Sequence, residues 1–175
     1  MSNTIHELKT AIRDVPDFPK KGIIFKDITT LLKDGQLFRK AIDELTAPFV
    51  GKGITKVVGV ESRGFIFAAA VAYKLGAGLV IVRKPGKLPH RTHTETYDLE
   101  YGKDTLEIHV DALTQDDKVL VIDDLLATGG TTQAVTKMIK HFNAKVEAIA
   151  FLIELAFLSG REKLKGYSIT SLITY

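Results

Sequence analysis

Cysteine is absent from the 175 residues, which removes disulfides, thiolate metal sites and cysteine nucleophiles from consideration. No apolar run approaches the ~20 residues that a bilayer span requires. The opening stretch, MSNTIHELKTAIRD, lacks the apolar core of a signal peptide, so a soluble, cytoplasmic protein is expected. Charge of one sign is also scarce: 24 basic side chains face 21 acidic ones, a formal +3. So mild an excess gives no footing for nucleic acid, and any functional positive charge must be local. There is no internal repeat and no low-complexity linker. What is present is a chain with 45% hydrophobic residues, long enough for one well-buried domain and short for two. A single domain over residues 1–175 is expected.

Ile5, Leu8, Ile12 and Val15 recur at helical spacing. They predict an amphipathic helix over roughly 3–14, ended by Pro16 and Pro19. GIIFKDITTLL reads as extended or irregular, and GQLFRKAIDELTAPFV as a helix from about Gln36. The apolar runs ITKVVGV, GLVIVRK, DKVLVIDD and KVEAIAFLIEL read as strands. Two helices fall among them, GFIFAAAVAYKLG, closed by Gly76, and TTQAVTKMIKHF. TLEIHV alternates apolar with polar residues, as a half-buried strand does. A short helix near Arg161–Leu164 and a last strand, SITSLITY, complete the chain. Apolar strands alternating with helices predict an α/β fold, a doubly wound and mainly parallel sheet covered on both faces. Such sheets take ligands at the carboxyl ends of their strands, where Glu61, Arg83 and Asp123 stand.

VLVIDDLLATGGTT, Val119 to Thr132, joins two unlike signals. A glycine-rich turn opening a helix offers unpaired backbone N–H groups and the positive end of the helix dipole, which suits phosphate. Its glycines let the backbone approach an anion closely, and Thr128, Thr131 and Thr132 add hydroxyl donors. No Lys follows the glycines, so this is not a Walker loop. The pair Asp123–Asp124 only accepts hydrogen bonds when ionised, which suits ribose hydroxyls or a hard cation. Cradle and acidic pair together describe a site for a sugar phosphate. The plainer alternative is a turn with Asp124 capping the helix, but two acids at a buried strand end cost too much to be incidental.

VESRGF puts Glu61, Ser62 and Arg63 in the loop after a strand, where a guanidinium grips phosphate bidentately or is an ordinary surface charge. RKPGKLPHR gathers Arg83, Lys84, Lys87, His90 and Arg91. It is either a local anion trap or a solvated loop. From Pro85 to about Lys103 runs a long polar segment that reads as a mobile lid excluding water. His90 and His93 lack a third ligand and read as polar rather than metal-binding.

VLVIDDLLATGGTT resembles the phosphoribosyl-pyrophosphate signature of the type I phosphoribosyltransferases. Taken with FPKKGIIFKDITTLL, KVVGVESRGFIFAAAVA and VRKPGKLPHRTHTETYDLEYGKDTLEIH, in that order over about residues 15 to 155, the chain is similar to the adenine phosphoribosyltransferases. The resemblance implies a purine-salvage transfer of the 5-phosphoribosyl group from phosphoribosyl pyrophosphate to adenine, giving AMP and pyrophosphate. It implies Mg²⁺ carried by phosphoribosyl pyrophosphate near Asp123 and Asp124, with no direct protein ligand assigned. It also implies a homodimer whose basic loops reach across the interface, with neither nucleic acid nor membrane as partner.

By the same resemblance, Asp123, Asp124, Ala127, Thr128, Gly129, Gly130 and Thr131 hold the phosphoribosyl group. Glu61, Ser62, Arg63, Arg83, Lys84 and Lys87 serve pyrophosphate. Ile24, Phe25 and Lys26 recognise adenine, Phe25 by stacking and Ile24 by its backbone, although Phe25 also reads as a simple core aromatic. Glu100 is the catalytic carboxylate that handles the purine's imidazole-side proton, with Tyr101 beside it in the lid. Residues 1 to about 34 form a base-recognition hood, and about 85–103 the lid. Two positions depart from the pattern: Lys26 stands where Arg is usual and Lys21 where Pro is usual. A Lys lacks the flat two-pronged contact of an Arg, which leaves the role of position 26 open. Two other readings remain, a transferase of this fold acting on another base and a non-catalytic nucleotide sensor. The IIFKD segment argues against the first, and the lack of any nucleic-acid module against the second.

Overall fold

A computed structural model describes residues 3–98 and 102–175. Two compact units result, the first ending at Glu44 and the second running from Leu45 to Tyr175. The first opens with α1 (Asn3–Ala11) and the hairpin strands β1 (Arg13–Pro16) and β2 (Ile24–Asp27). The helix therefore stops short of the predicted residue 14. Pro16 pushes the residue before it into extended backbone, and Val15, β-branched, pairs antiparallel with Phe25 instead of adding a helical turn. Gly22, at φ +89°, turns the connection, and its N–H donates to Asp17 Oδ1 at 2.7 Å. The stretch predicted as extended or irregular is β2 followed by a one-turn helix, α2 (Thr29–Leu32). Next comes α3 (Gly35–Thr46), capped by Asp34, whose Oδ1 accepts from Gln36 N and Leu37 N at 2.9 and 3.1 Å. Leu8, Ile28, Leu31 and Ala41 are wholly buried. The boundary between the units falls inside α3.

The second unit is built on β3 (Lys56–Val60), α4 (Arg63–Leu75), β4 (Gly78–Val82), β7 (Lys118–Leu126), α5 (Gly130–Lys140), β8 (Lys145–Glu154) and β9 (Ile169–Thr174). The five strands lie in the order β4-β3-β7-β8-β9, and every neighbouring pair is parallel. The α/β doubly wound sheet read from the sequence is the fold observed. Period-2 alternation decides which residues meet which helix. Gly59 faces α4 so closely that a Cβ there would sit 2.6 Å from Ala68 Cβ. Val58 and Val60, pointing the other way, join Val135, Met138 and Ile139 of α5 in one apolar cluster. Crossovers through α4 and α5 leave β3 and β7 in opposite directions, so the winding reverses between these two strands. Ligand sites of open sheets form at that reversal, outside the carboxyl ends of the strands.

The arm between β4 and β7 is more ordered than a lid made only of loop. Thr92–Asp98 is a strand, β5, paired antiparallel with β6 (Lys103–His109) in register from Thr92↔His109 to Asp98↔Lys103. A further isolated bridge, Arg83↔Glu107, ties its base to the end of β4. Among the described residues, no helix is long and apolar enough to cross a membrane.

Candidate active site

β7 does not stop at its two carboxylates. Leu125 and Leu126 continue the ladder opposite Ile153 and Glu154 of β8, so Asp123 and Asp124 are embedded in the strand. Asp124 is 5% exposed, and its N–H donates to Asp123 Oδ1 at 2.9 Å. Burial pushes the Asp123 carboxyl well above the ordinary carboxylate range, and the Asp124 charge beside it adds to the rise. Burial also raises Asp124, against the pull of the Arg63 guanidinium, whose Nε lies 2.9 Å from Asp124 Oδ2. Arg63 opens α4, and the next residue must be small: a Cβ at Gly64 would lie 2.6 Å from Asp123 Oδ1.

After β7 the chain turns through Ala127, Thr128 and Gly129 into α5. Gly129 sits at φ +80°, the left-handed region that glycine tolerates. A Cβ on it would be 2.4 Å from the carbonyl oxygen of Gly160. The first-turn N–H groups of α5 have no partners within the helix and carry its positive end.

The peptide Glu61–Ser62 is cis. The Glu61 carboxylate accepts from Lys87 Nζ at 2.6 Å, from the Lys84 N–H at 3.0 Å and from Arg83 Nη2 at 3.2 Å. Burial works to raise its pKa, but those three donors outweigh it and bring the group down to about 2. Lys84 Nζ is ion-paired with Asp104. Asp104 Oδ2 also accepts from the Tyr97 hydroxyl at 3.1 Å, and the same hydroxyl lies 3.1 Å from Thr131 Oγ1. Burial leads the rise in the Tyr97 pKa, so it remains a phenol at neutral pH.

A cavity of about 390 Å³ collects these groups, within the ordinary range for small-ligand sites. Glu61, Ser62, Arg63, Lys84, Asp123, Asp124, Ala127 and Thr131 all line it. Arg83 and Lys87 meet it through Glu61 rather than directly. Glu100 and Tyr101 lie outside the described residues. A roomier hollow of about 950 Å³ runs along Lys33–Lys40 in the first unit, lined by basic side chains and the Asp34-capped start of α3.

Ile24, Phe25 and Lys26 occupy β2 of the first unit. Ile24 is 57% exposed, and Phe25 meets Phe18 edge to face at 5.1 Å. Lys26 Nζ is 2.6 Å from Asp14 Oδ1 across the hairpin, beside the parallel pair Arg13–Asp27. The ammonium at position 26 thus serves the hairpin, a contact that needs no flat guanidinium. His93 stacks on His141 at 5.6 Å, and among the described residues no group of three or more His, Cys, Asp or Glu is placed to hold a metal.

Sequence reasoning passed over Tyr97, Asp104 and Gly160. Tyr97 and Asp104 are direct cross-strand partners in β5–β6, a pairing invisible once the arm is read as loop. Ser159-Gly160 is a turn dipeptide, but nothing local says that the turn packs on Gly129.

The sequence matches the phosphoribosyl transferase domain family over residues 29–170. An adenine phosphoribosyltransferase of Geobacter metallireducens is 58% identical over 169 residues, 97% of this chain and 99% of that one. The crystal structure of adenine phosphoribosyltransferase from Thermoanaerobacter pseudethanolicus superposes with a TM-score of 0.95 at 51% identity, covering 98% of this chain and 99% of that one. The Saccharomyces cerevisiae enzyme, complexed with adenine and an imino-altritol bisphosphate, gives 0.92 at 38% identity, covering 98% and 99%. With a strand-end cavity that joins an acidic pair to a glycine-opened helix, and with relatives alike over nearly their whole length, the chain belongs to the adenine phosphoribosyltransferases of the phosphoribosyltransferase family.

Proposed function

We propose that this chain transfers the 5-phosphoribosyl group from phosphoribosyl pyrophosphate to adenine, releasing AMP and pyrophosphate, and so acts in purine salvage. The observation that supports the reading is that Asp123, Asp124, Ala127 and Thr131 line one cavity, the last two flanking the glycine turn that opens α5. Ribose hydroxyls donate to the carboxylates, and the 5-phosphate takes the N–H groups of Ala127, Thr128, Gly129, Gly130 and Thr131. Ser62, Arg63 and Lys84 face the pyrophosphate, while Glu61 aims Arg83 and Lys87 at it. Ile24 and Phe25 serve adenine, with Lys26 bracing their hairpin.

An acidic pair suits a hard divalent cation, since both carboxyls are held above their ordinary proton affinity and any positive charge nearby relieves them. Two carboxylates alone do not fill such a coordination shell, so Mg²⁺ comes with phosphoribosyl pyrophosphate. When bound it neutralises charge on the departing pyrophosphate. The chain's own residues do the remaining work: basic groups stabilise the leaving group, adenine is held near the opened sugar carbon, and Glu100 takes the purine's proton. The 85–103 arm closes over the site to exclude water, which would otherwise capture the activated sugar.

We further read residues 1–175 as one catalytic domain with a hood over about 1–34. It works as a homodimer in the cytoplasm. Ile66 and Tyr73, seven residues apart on the same face of α4, are exposed apolar side chains, as is Leu79 on the edge strand β4, a surface suited to a second copy. A polyanion such as phosphoribosyl pyrophosphate does not cross bilayers unaided, so its consumer belongs where it is made. The test is the requirement pattern. AMP and pyrophosphate should form one for one, and only with adenine, phosphoribosyl pyrophosphate and Mg²⁺ together. AMP formation that ignores the omission of phosphoribosyl pyrophosphate, or no AMP from the complete mixture, overturns the reading.

A further inference from the structure

The turn after β8 presses on the glycine-rich loop from behind. Gly160, opening the short 3₁₀ helix Gly160–Leu164, approaches so closely that a Cβ there would lie 2.2 Å from Ala127 O and 3.1 Å from Gly129 N. Both glycines are therefore required by one backbone-on-backbone contact, and neither accepts a side chain. The adjoining Arg161 locks the turn in place. Its Nε and Nη2 donate to the two oxygens of Glu154, each at 2.7 Å, the two-pronged arrangement that only a guanidinium supplies. Nη1 and Nη2 also reach Ile169 O and Ser171 Oγ on β9, both at 3.3 Å. Glu154 is the last residue of β8 and 6% exposed. Leu155 N donates to Leu126 O at 2.9 Å, and Gln133 Nε2 of α5 to Lys163 O at 3.2 Å. The turn is thus pinned to the sheet on one side and to α5 on the other.

We propose that Arg161 is a positioning residue for the phosphate loop: forked to Glu154, it seats the Gly160 backbone against Ala127 and Gly129 and so fixes the loop's N–H groups for the substrate's 5-phosphate. The proposal rests on the reading that this loop takes that phosphate. A loop rich in glycine loses much conformational freedom when it closes on an anion, and a preset backbone removes that loss from binding.

The experiment compares Arg161→Met, the double variant Glu154→Gln/Arg161→Met and Arg161→Lys with the full-length protein. The double variant leaves no unpaired buried charge, so it separates positioning from simple destabilisation. Measurements are made well below each melting temperature. KM for phosphoribosyl pyrophosphate and Kd for ribose 5-phosphate should both rise about tenfold or more, since ordering the loop then falls on the binding step. kcat at saturation and KM for adenine should stay within about threefold, because the missing preset is a binding loss. Arg161→Lys should recover part of the affinity. Should the Met variants fail to fold, Arg161→Lys carries the same expectation of a raised KM. A lower melting temperature with unchanged phosphate affinity makes the fork a fold-stabilising pair only and overturns the proposal, as does a fall in kcat with KM unmoved. If Gly129→Val also leaves ribose 5-phosphate binding intact, the loop itself is misassigned. If only the Arg161 variants do so, the loop stands and the positioning role fails.

Discussion

The Asp123 carboxyl lies next to Asp124, inside a strand, on a cavity wall. Burial and the neighbouring charge raise its folded-state pKa above the ordinary 3.8, so its ionised form destabilises the empty protein at neutral pH. That penalty is present above the raised pKa and disappears as falling pH returns the proton. Asp123→Asn keeps the oxygen that accepts from the Asp124 N–H and removes the charge. It should raise the melting temperature by about 2–4 °C at pH 7–8, the shift that ~1 kcal/mol produces in a domain of this size. The gain should fade as the pH is lowered, and the KM for phosphoribosyl pyrophosphate should climb. Melting curves across pH check it, and a variant less stable than the parent at pH 8 contradicts the assignment. Glu61 runs the other way. Held down to about 2 by Lys87, the Lys84 N–H and Arg83, its contribution is present above its ordinary 4.5 and is lost as the pH falls through the lower value.

The junction of β7 and α5 concentrates the site into a few residues of backbone. Gly129→Val places a branched side chain at φ +80° and against the Gly160 carbonyl. It should raise KM for phosphoribosyl pyrophosphate and weaken AMP binding by at least about tenfold while circular dichroism shows the sheet intact. AMP affinity left unchanged in a folded variant removes the loop from the phosphate site. This element was legible because its signals are local: an apolar run, two acids, then glycines ahead of a helical period. The β5–β6 arm was half legible. Leu106 and Ile108 alternate and are buried, so β6 was read, whereas β5 is Thr-His-Thr-Glu-Thr-Tyr-Asp with a single buried apolar body at Tyr97. Strand pairing, not hydrophobic pattern, makes it a strand. β1 was hidden for the opposite reason: Val15 continues the helical spacing of Leu8 and Ile12, and only Pro16 and the pairing with Phe25 turn it outward. The Gly129–Gly160 contact joins positions 31 apart in the chain (160 − 129), and no local pattern encodes it.

For the whole molecule, the dimer reading makes a mixing prediction. Lys87→Ala and Glu100→Ala subunits, each nearly inactive alone, should regain activity when combined if their residues serve opposite sites, and sedimentation should give twice the chain's mass. A fully active monomer refutes the shared-site arrangement. Above the question of assembly stands the choice of base, which the proposed function gives to the Ile24–Lys26 hairpin and Glu100. The most direct measurement is therefore kcat/KM for adenine against hypoxanthine, each with phosphoribosyl pyrophosphate and Mg²⁺, followed by absorbance as AMP or IMP forms. A site built to hydrogen-bond one base edge rejects the wrong edge by ~10⁴ or more, since its polar groups are then left unpaired. Adenine should be preferred by at least about a thousandfold on that ground. Hypoxanthine used as well as adenine, or better, would contradict it.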